Sequence, residues 1–198
     1  MIKRYKFIIL AILAIVSLVL GELAKEAKYP PAPLAPLSTP VTTTDWQRGT
    51  PEAQAVVVVY SDFACLTCDD IASSLKQLTI NPESEVLMVY RHFVGASSTV
   101  GKLAASAVEA AGLQDQFWPM HDLLYDRQSV WIGKEDPSDL LLAYAASLHL
   151  NLDRFQRDMT SAAVLKKIEA DYQSGLSSGL VEAPALFLNG ARVQARDL

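Results

Sequence analysis

Apolar positions along the chain are arranged in several distinct ways, and each arrangement predicts a different element. From Phe7 to Leu20 they form an unbroken block. Ala55-Val-Val-Val-Val-Tyr60 and Val86-Leu-Met-Val-Tyr90 are short continuous runs rich in β-branched residues, as expected of strands buried on both faces of a sheet. Between these runs, Cys65 to Leu78 carries Ile71, Leu75 and Leu78 at helical spacing, with Asp69 and Asp70 early, where acids suit a helix start. Strand, helix and strand in that order build a parallel pair.

From about Val100 to Leu180 the pattern is helical, rich in Ala and Leu and punctuated at Gly112, Gly133-Lys-Glu-Asp-Pro137 and Asn151; about four helices are predicted. Pro184-Ala-Leu-Phe-Leu188, the dipeptide Asn189-Gly190 and Ala191-Arg-Val-Gln194 then give the strongest hairpin signal in the chain.

The first block has its own meaning. Lys3, Arg4 and Lys6 precede it, so residues 1–21 have the basic and apolar regions of an export signal. Its 14 residues fall short of the roughly 17 to 25 that span a bilayer, which favours a cleaved signal. The peptidase site Val19-Leu20-Gly21 is poor, however, and Tyr5 with a snorkelling Lys6 extends the span enough for an uncleaved transmembrane anchor. Signal peptide and anchor both stand. Either places the rest of the chain outside the cytoplasm, in a periplasm or on the outer face of the cell membrane. Residues 22–50, with Tyr29-Pro-Pro-Ala-Pro-Leu-Ala-Pro-Leu-Ser-Thr-Pro40, read as a proline-rich, semi-rigid linker. The globular domain is expected over 51–198.

Composition narrows the function. Of 198 residues, 17 are Lys or Arg and 22 Asp or Glu, a net charge of −5, and no basic cluster follows a phosphate backbone, which argues against nucleic acid. Without the leader the excess of acids grows, which disfavours an anionic membrane surface. Two cysteines are too few for a disulfide framework.

Those two cysteines are spaced Cys65-Leu66-Thr67-Cys68 at the predicted strand-to-helix junction. There the first sulfur faces free backbone N–H groups and the positive end of a helix, which favour thiolate, and the second lies one turn on, within disulfide reach. A zinc site needs about four ligands, and His92, His121 and His149 are scattered rather than at ligand spacing; no metal is expected. A purely structural disulfide closing so small a loop would constrain the unfolded chain little. Redox exchange is the better reading, and it calls for no cofactor.

Tyr60-Ser-Asp-Phe-Ala-Cys-Leu-Thr-Cys68 resembles the active-site segment of the DsbA-like thiol–disulfide oxidoreductases, an apolar strand followed by D-F-x-C-P-x-C. Tyr90-Arg-His-Phe-Val94 is similar to their next strand, Gln116-Phe-Trp-Pro-Met-His-Asp-Leu-Leu124 to part of their helical insertion, and Val181-Glu-Ala-Pro-Ala-Leu-Phe-Leu-Asn-Gly190 to their cis-proline strand. The resemblance covers roughly residues 53–194. It implies an α/β thioredoxin-like fold, a central sheet with helices on both faces and a helical insertion at about 100–180 between the two halves. It further implies Cys65 as nucleophile, Cys68 as the buried resolving partner, and Pro184, preceded by Ala183, in a cis peptide opposite the sulfurs, leaving nearby backbone to pair with an extended substrate. Ala183, Pro184, Leu66 and Thr67 would then line the substrate site. The implied partners are exported proteins and a membrane redox protein that reoxidises or reduces the pair. A reductase or isomerase of the same fold, or a redox-sensing binding module attached to the membrane, are the alternatives.

Three departures from the family pattern carry expectations. Leu66 replaces the usual proline, and Thr67 stands where the strongest oxidants have histidine. A hydroxyl gives a thiolate a hydrogen bond but no charge, and Asp69 and Asp70 add negative potential. The Cys65 thiol is therefore expected to be less acidic, and the disulfide less oxidising, than in a histidine-bearing site; a potential as high as about −120 mV against glutathione would contradict this. Finally, Ala195-Arg-Asp-Leu198 reads as the start of the helix that covers the last strand, so either the chain is a fragment or that face is open. Asp62 reads mainly as strand-end punctuation, Phe117, Trp118 and Met120 as core, and the histidines as structural or solvated.

Overall fold

The computed structural model describes residues 35–194 apart from position 82; the leader at 1–21, most of the proline-rich segment and Ala195 to Leu198 lie outside the described residues. Strands β1 (Trp46–Gly49), β2 (Ala55–Ser61), β3 (Val86–His92), β4 (Ala185–Leu188) and β5 (Ala191–Val193) form one sheet in the order β1-β3-β2-β4-β5. Only β2 and β3 run parallel, joined through helix α1 (Cys68–Ile80) as the strand–helix–strand reading expects. The other pairings are antiparallel.

Between β3 and β4 come α2 (Thr99–Gly112), α3 (Phe117–Asp126), α4 (Gln128–Trp131), α5 (Ser138–Ser147), α6 (Leu152–Met159) and α7 (Ala162–Ser177). This is six helices where about four were expected. Three of the six starts are capped: the side chains of Ser98, Asn151 and Ser161 accept from the backbone N–H groups of Gly101, Arg154 and Val164, satisfying one free donor each in α2, α6 and α7.

Alternation along β2 and β3 divides the core between two faces. Val57, Val59, Met88 and Tyr90 pack with Leu75 of α1 and with α2, α3 and the rest of the insertion. Val58, Tyr60, Leu87 and Val89 point the other way, onto Phe93, Leu180, Tyr172 of α7, and Leu37 and Val41 of the N-terminal segment. The sheet thus carries helix on both faces.

Two expectations need correction. The buried stripe of α1 is Cys68, Ala72, Leu75 and Thr79, while Leu78 is 40% exposed. The helix starts at Cys68, not Cys65, so the disulfide sets which side faces inward; the Thr79 hydroxyl is satisfied by the Leu75 carbonyl at 2.8 Å. The linker reading of 22–50 also runs too far, because Trp46–Gly49 is an edge strand paired with β3. Just before it, backbone carbonyls bind a buried cation: Arg91 donates to Thr39 O at 2.9 Å and Pro40 O at 2.8 Å.

The Asn189-Gly190 turn takes positive φ at both residues, 49° and 82°, the geometry that favours this dipeptide in hairpins. Asn189 also accepts from Val56 N and donates to Gln54 O, fastening the turn to the start of β2.

Candidate active site

Chain geometry at the carboxyl end of β2 brings the two sulfurs together. The Cys65 N–H donates to Asp62 O and the Cys68 N–H to Cys65 O, two tight turns that carry the chain from strand into α1. Cys65 and Cys68 are joined in a disulfide with Cα atoms 5.3 Å apart. Their surroundings differ: Cys68 is fully buried in the core and Cys65 only partly. Leu66, 71% exposed, stands beside the disulfide.

The Thr67 hydroxyl lies 3.4 Å from Cys65 Sγ and is placed to donate to it. On the other side the Ala183 carbonyl oxygen lies 3.7 Å from the same sulfur, within reach of a thiol once the disulfide is reduced. The Ala183–Pro184 peptide is cis, and Pro184 opens β4, which pairs with β2. The structure therefore gathers Cys65, Leu66, Thr67, Cys68 and Ala183 around the disulfide, with Pro184 joined to Ala183.

Two polar groups support the loop. Gln128, buried on α4, donates its side-chain amide to Phe63 O at 2.8 Å and Cys65 O at 2.9 Å. Asp62, 8% exposed, accepts from Ala64 N at 2.8 Å and, at 3.3 Å, from Gly95 N. A Cβ at Gly101 would run into its carboxylate, so the close approach of α2 requires glycine there. Burial pushes the Asp62 carboxyl above its ordinary range despite those N–H groups. Asp69 is also raised, by its own desolvation and then by Asp70 and Asp126, which marks negative potential at the start of α1.

A cleft of about 260 Å³ opens beside Cys65, lined by Asp62, Phe93, Tyr172, Val181, Glu182 and Ala183 among others. Gln128 and Tyr172 carried no sequence signal for this place; Phe93 stands in the Tyr90–Val94 segment that resembled a family strand. Val181 and Glu182 did, since they stand in the segment that led to Pro184. Of the weaker candidates, Phe117 and Met120 are core; Trp118 donates to Gln47 O and lies under Arg48.

Elsewhere His92, Glu109 and Asp171 bring ligand-type atoms within 4.8 Å of one another. Each of these groups already has hydrogen-bond partners: Glu109 accepts from Trp46 Nε1 and pairs with His92 Nε2, and Asp171 accepts from Lys167 and from His92 N. Among the described residues no helix is long and apolar enough to cross a membrane.

A family model described as thioredoxin matches residues 41–197. Oxidised BdbD from Bacillus subtilis is similar over 81% of this chain and 89% of its own, with a TM-score of 0.70 and 18% identity. α-DsbA1 from Wolbachia pipientis covers 81% and 84% with a TM-score of 0.65 and 18% identity. A thioredoxin-like oxidoreductase from Silicibacter pomeroyi DSS-3 covers 77% and 84% with a TM-score of 0.64 and 23% identity. These likenesses show a DsbA-like thioredoxin fold. Curated relatives include the Na+/H+ antiporter NhaA of Herminiimonas arsenicoxydans, 35% identical over 150 residues, which are 76% of this chain and 23% of the antiporter. NhaA 1 of Salinispora arenicola is 36% identical over 149 residues, 75% and 22% of the two chains. The chain spans less than a quarter of the length of these relatives.

Proposed function

The chain belongs to the thioredoxin family, and on that footing we propose that it is a thiol–disulfide oxidoreductase that forms or exchanges disulfides in exported proteins outside the cytoplasm. The observation that carries this reading is the asymmetry of the pair: a disulfide with one sulfur facing a cleft and the other buried. A substrate thiolate attacks Cys65 Sγ, the Cys65–Cys68 bond breaks, and Cys68 leaves with the electron pair. A second substrate thiolate attacks the substrate sulfur of the mixed disulfide and displaces Cys65 as thiolate. The substrate has lost two electrons and the cysteine pair has gained them. The Thr67 hydroxyl and the start of α1 stabilise the Cys65 thiolate, while Leu66 and the backbone at Ala183 and Pro184 hold the substrate as an added extended strand. A membrane redox protein then removes the two electrons by the same exchange; a reducing partner runs the steps backwards. Retained as an anchor, the leader at 1–21 would keep the domain at the membrane; cleaved as a signal, it would release the domain outside the cytoplasm.

Cys68→Ser tests the reading. With no resolving thiol this variant should accumulate mixed disulfides with exported proteins, whereas Cys65→Ser should accumulate none. Equal and negligible trapping by both sinks the enzyme reading. The redox state of the wild-type pair in cells gives the direction, oxidised for an oxidase and reduced for a reductase or isomerase.

The antiporter relatives favour a second reading, a redox-responsive module that acts on a membrane cation transporter. It predicts that Cys65→Ser alters cation tolerance of the cell with no change in the disulfides of exported proteins.

A further inference from the structure

The cleft beside Cys65 has a chemical character that disulfide exchange does not require. Its lining carboxylates are Asp62 at the floor and Glu182, which is exposed. Phe93 and Tyr172 also line it and stack with ring centroids 4.9 Å apart and planes 27° from parallel. Val181, 87% exposed, adds an apolar lip. Among the described residues, the cation that hydrogen-bonds this lining is Lys102, whose Nζ donates to the Ala96 carbonyl at 2.6 Å, against the two acids. At about 260 Å³ the space suits a single long side chain rather than a whole small-molecule ligand.

Acids and an aromatic wall around an apolar stem-sized space are what a guanidinium or ammonium group selects. We propose that this cleft is a subsite for a cationic side chain, Arg or Lys, that the substrate carries next to the cysteine attacking Cys65. The proposal rests on the exchange reading and adds the substrate class. The aliphatic stem lies along Val181 and the aromatic pair, and the charged head reaches Glu182 at the rim and Asp62 below. The preference then acts at the first step of exchange, as the substrate sulfur forms its bond to Cys65 and Cys68 departs.

The test is the rate at which short peptides with one cysteine reduce the Cys65–Cys68 disulfide of the full chain under stopped flow. The neighbouring residue is Arg, Leu or Glu, placed before the cysteine in one set and after it in another. Because a neighbouring charge also changes the peptide thiol itself, each rate is divided by that peptide's rate with the neutral disulfide of 2-mercaptoethanol. The corrected Arg rate should exceed the Glu rate by about three- to thirtyfold in at least one set, the sum of a partly exposed ion pair and a cation–aromatic contact. Glu182→Gln, a surface change, should reduce that preference by about two- to fivefold, and raised salt should reduce it as well. Equal corrected rates in both sets overturn the subsite and leave the exchange reading intact. A disulfide that no peptide reduces overturns the exchange reading itself.

Discussion

Asp45 and Asp62 are both held largely out of water, and they are treated in opposite ways. Asp45, in the N-terminal segment that crosses one face of the sheet, meets the buried Arg91 in a two-point ion pair, Nε to Oδ1 at 2.8 Å and Nη2 to Oδ2 at 3.0 Å. Burial pushes its carboxyl up, but hydrogen bonds from Arg91 and the Thr42 backbone, with the guanidinium charge, more than reverse this and leave it below the ordinary range. Asp62, in the redox loop, has only backbone N–H partners and ends above that range. The paired acid is a rivet, because Arg91 also binds Thr39 O, Pro40 O and the Tyr60 hydroxyl. The unpaired acid lines a cleft beside a disulfide, where an uncompensated carboxylate is a cost to stability that is tolerated where something must bind or react.

Three changes would break or sharpen this contrast. The largest effect is expected for Arg91→Met, which strips five hydrogen bonds and leaves the Asp45 carboxylate buried without a cation; a loss of about 3–5 kcal/mol in chemical denaturation is expected. A loss under about 1 kcal/mol would show that the segment is not riveted. Gln128→Leu comes next. It leaves Phe63 O without its side-chain donor and Cys65 O with Cys68 N alone, for about 1–3 kcal/mol of stability, and the exchange rate of Cys65 should change with it. An unchanged rate would make Gln128 mere glue between the insertion and the loop.

The smallest effect concerns pH. A carboxyl whose pKa is raised by folding lets the folded state bind more protons than the unfolded one, so its stability contribution falls as pH rises above the ordinary value of 3.8 and through the folded value. Asp45 has the opposite sign: its contribution is present above 3.8 and is lost as pH falls through the depressed folded value. Asp62→Asn should therefore gain on the wild type in thermal unfolding as pH rises above 3.8 and through the raised folded value, with no such gain at lower pH. Parallel curves for the two proteins would remove the contrast.

What could be read from sequence follows from the same physics. The strands β2 and β3 and the closing hairpin were legible because their apolar runs and the Asn189-Gly190 turn are local signals. Cys65, Cys68 and Pro184 were legible as motif. β1 was not, because Trp46-Gln-Arg-Gly49 has no strand pattern; it is held by the edge of β3 and by the stacking of Trp46 on Phe117, ring centroids 4.2 Å apart. Gln128 and Tyr172 were invisible for a similar reason: their partners stand 65 and 79 positions away at Phe63 and Phe93. No window along the chain holds both members of either pair.

The Ala183 carbonyl reaches Cys65 late in synthesis. Position 184 follows Cys68 by 116 residues, so at roughly 5–20 residues per second a ribosome adds Pro184 about 6–23 s after the second cysteine. Through that interval β2 has no β4 to pair with, and Cys65 has no Ala183 carbonyl beside it. Cys65 is therefore made well before the backbone that packs against it. The disulfide loop gains its last backbone neighbour only when the closing hairpin is made.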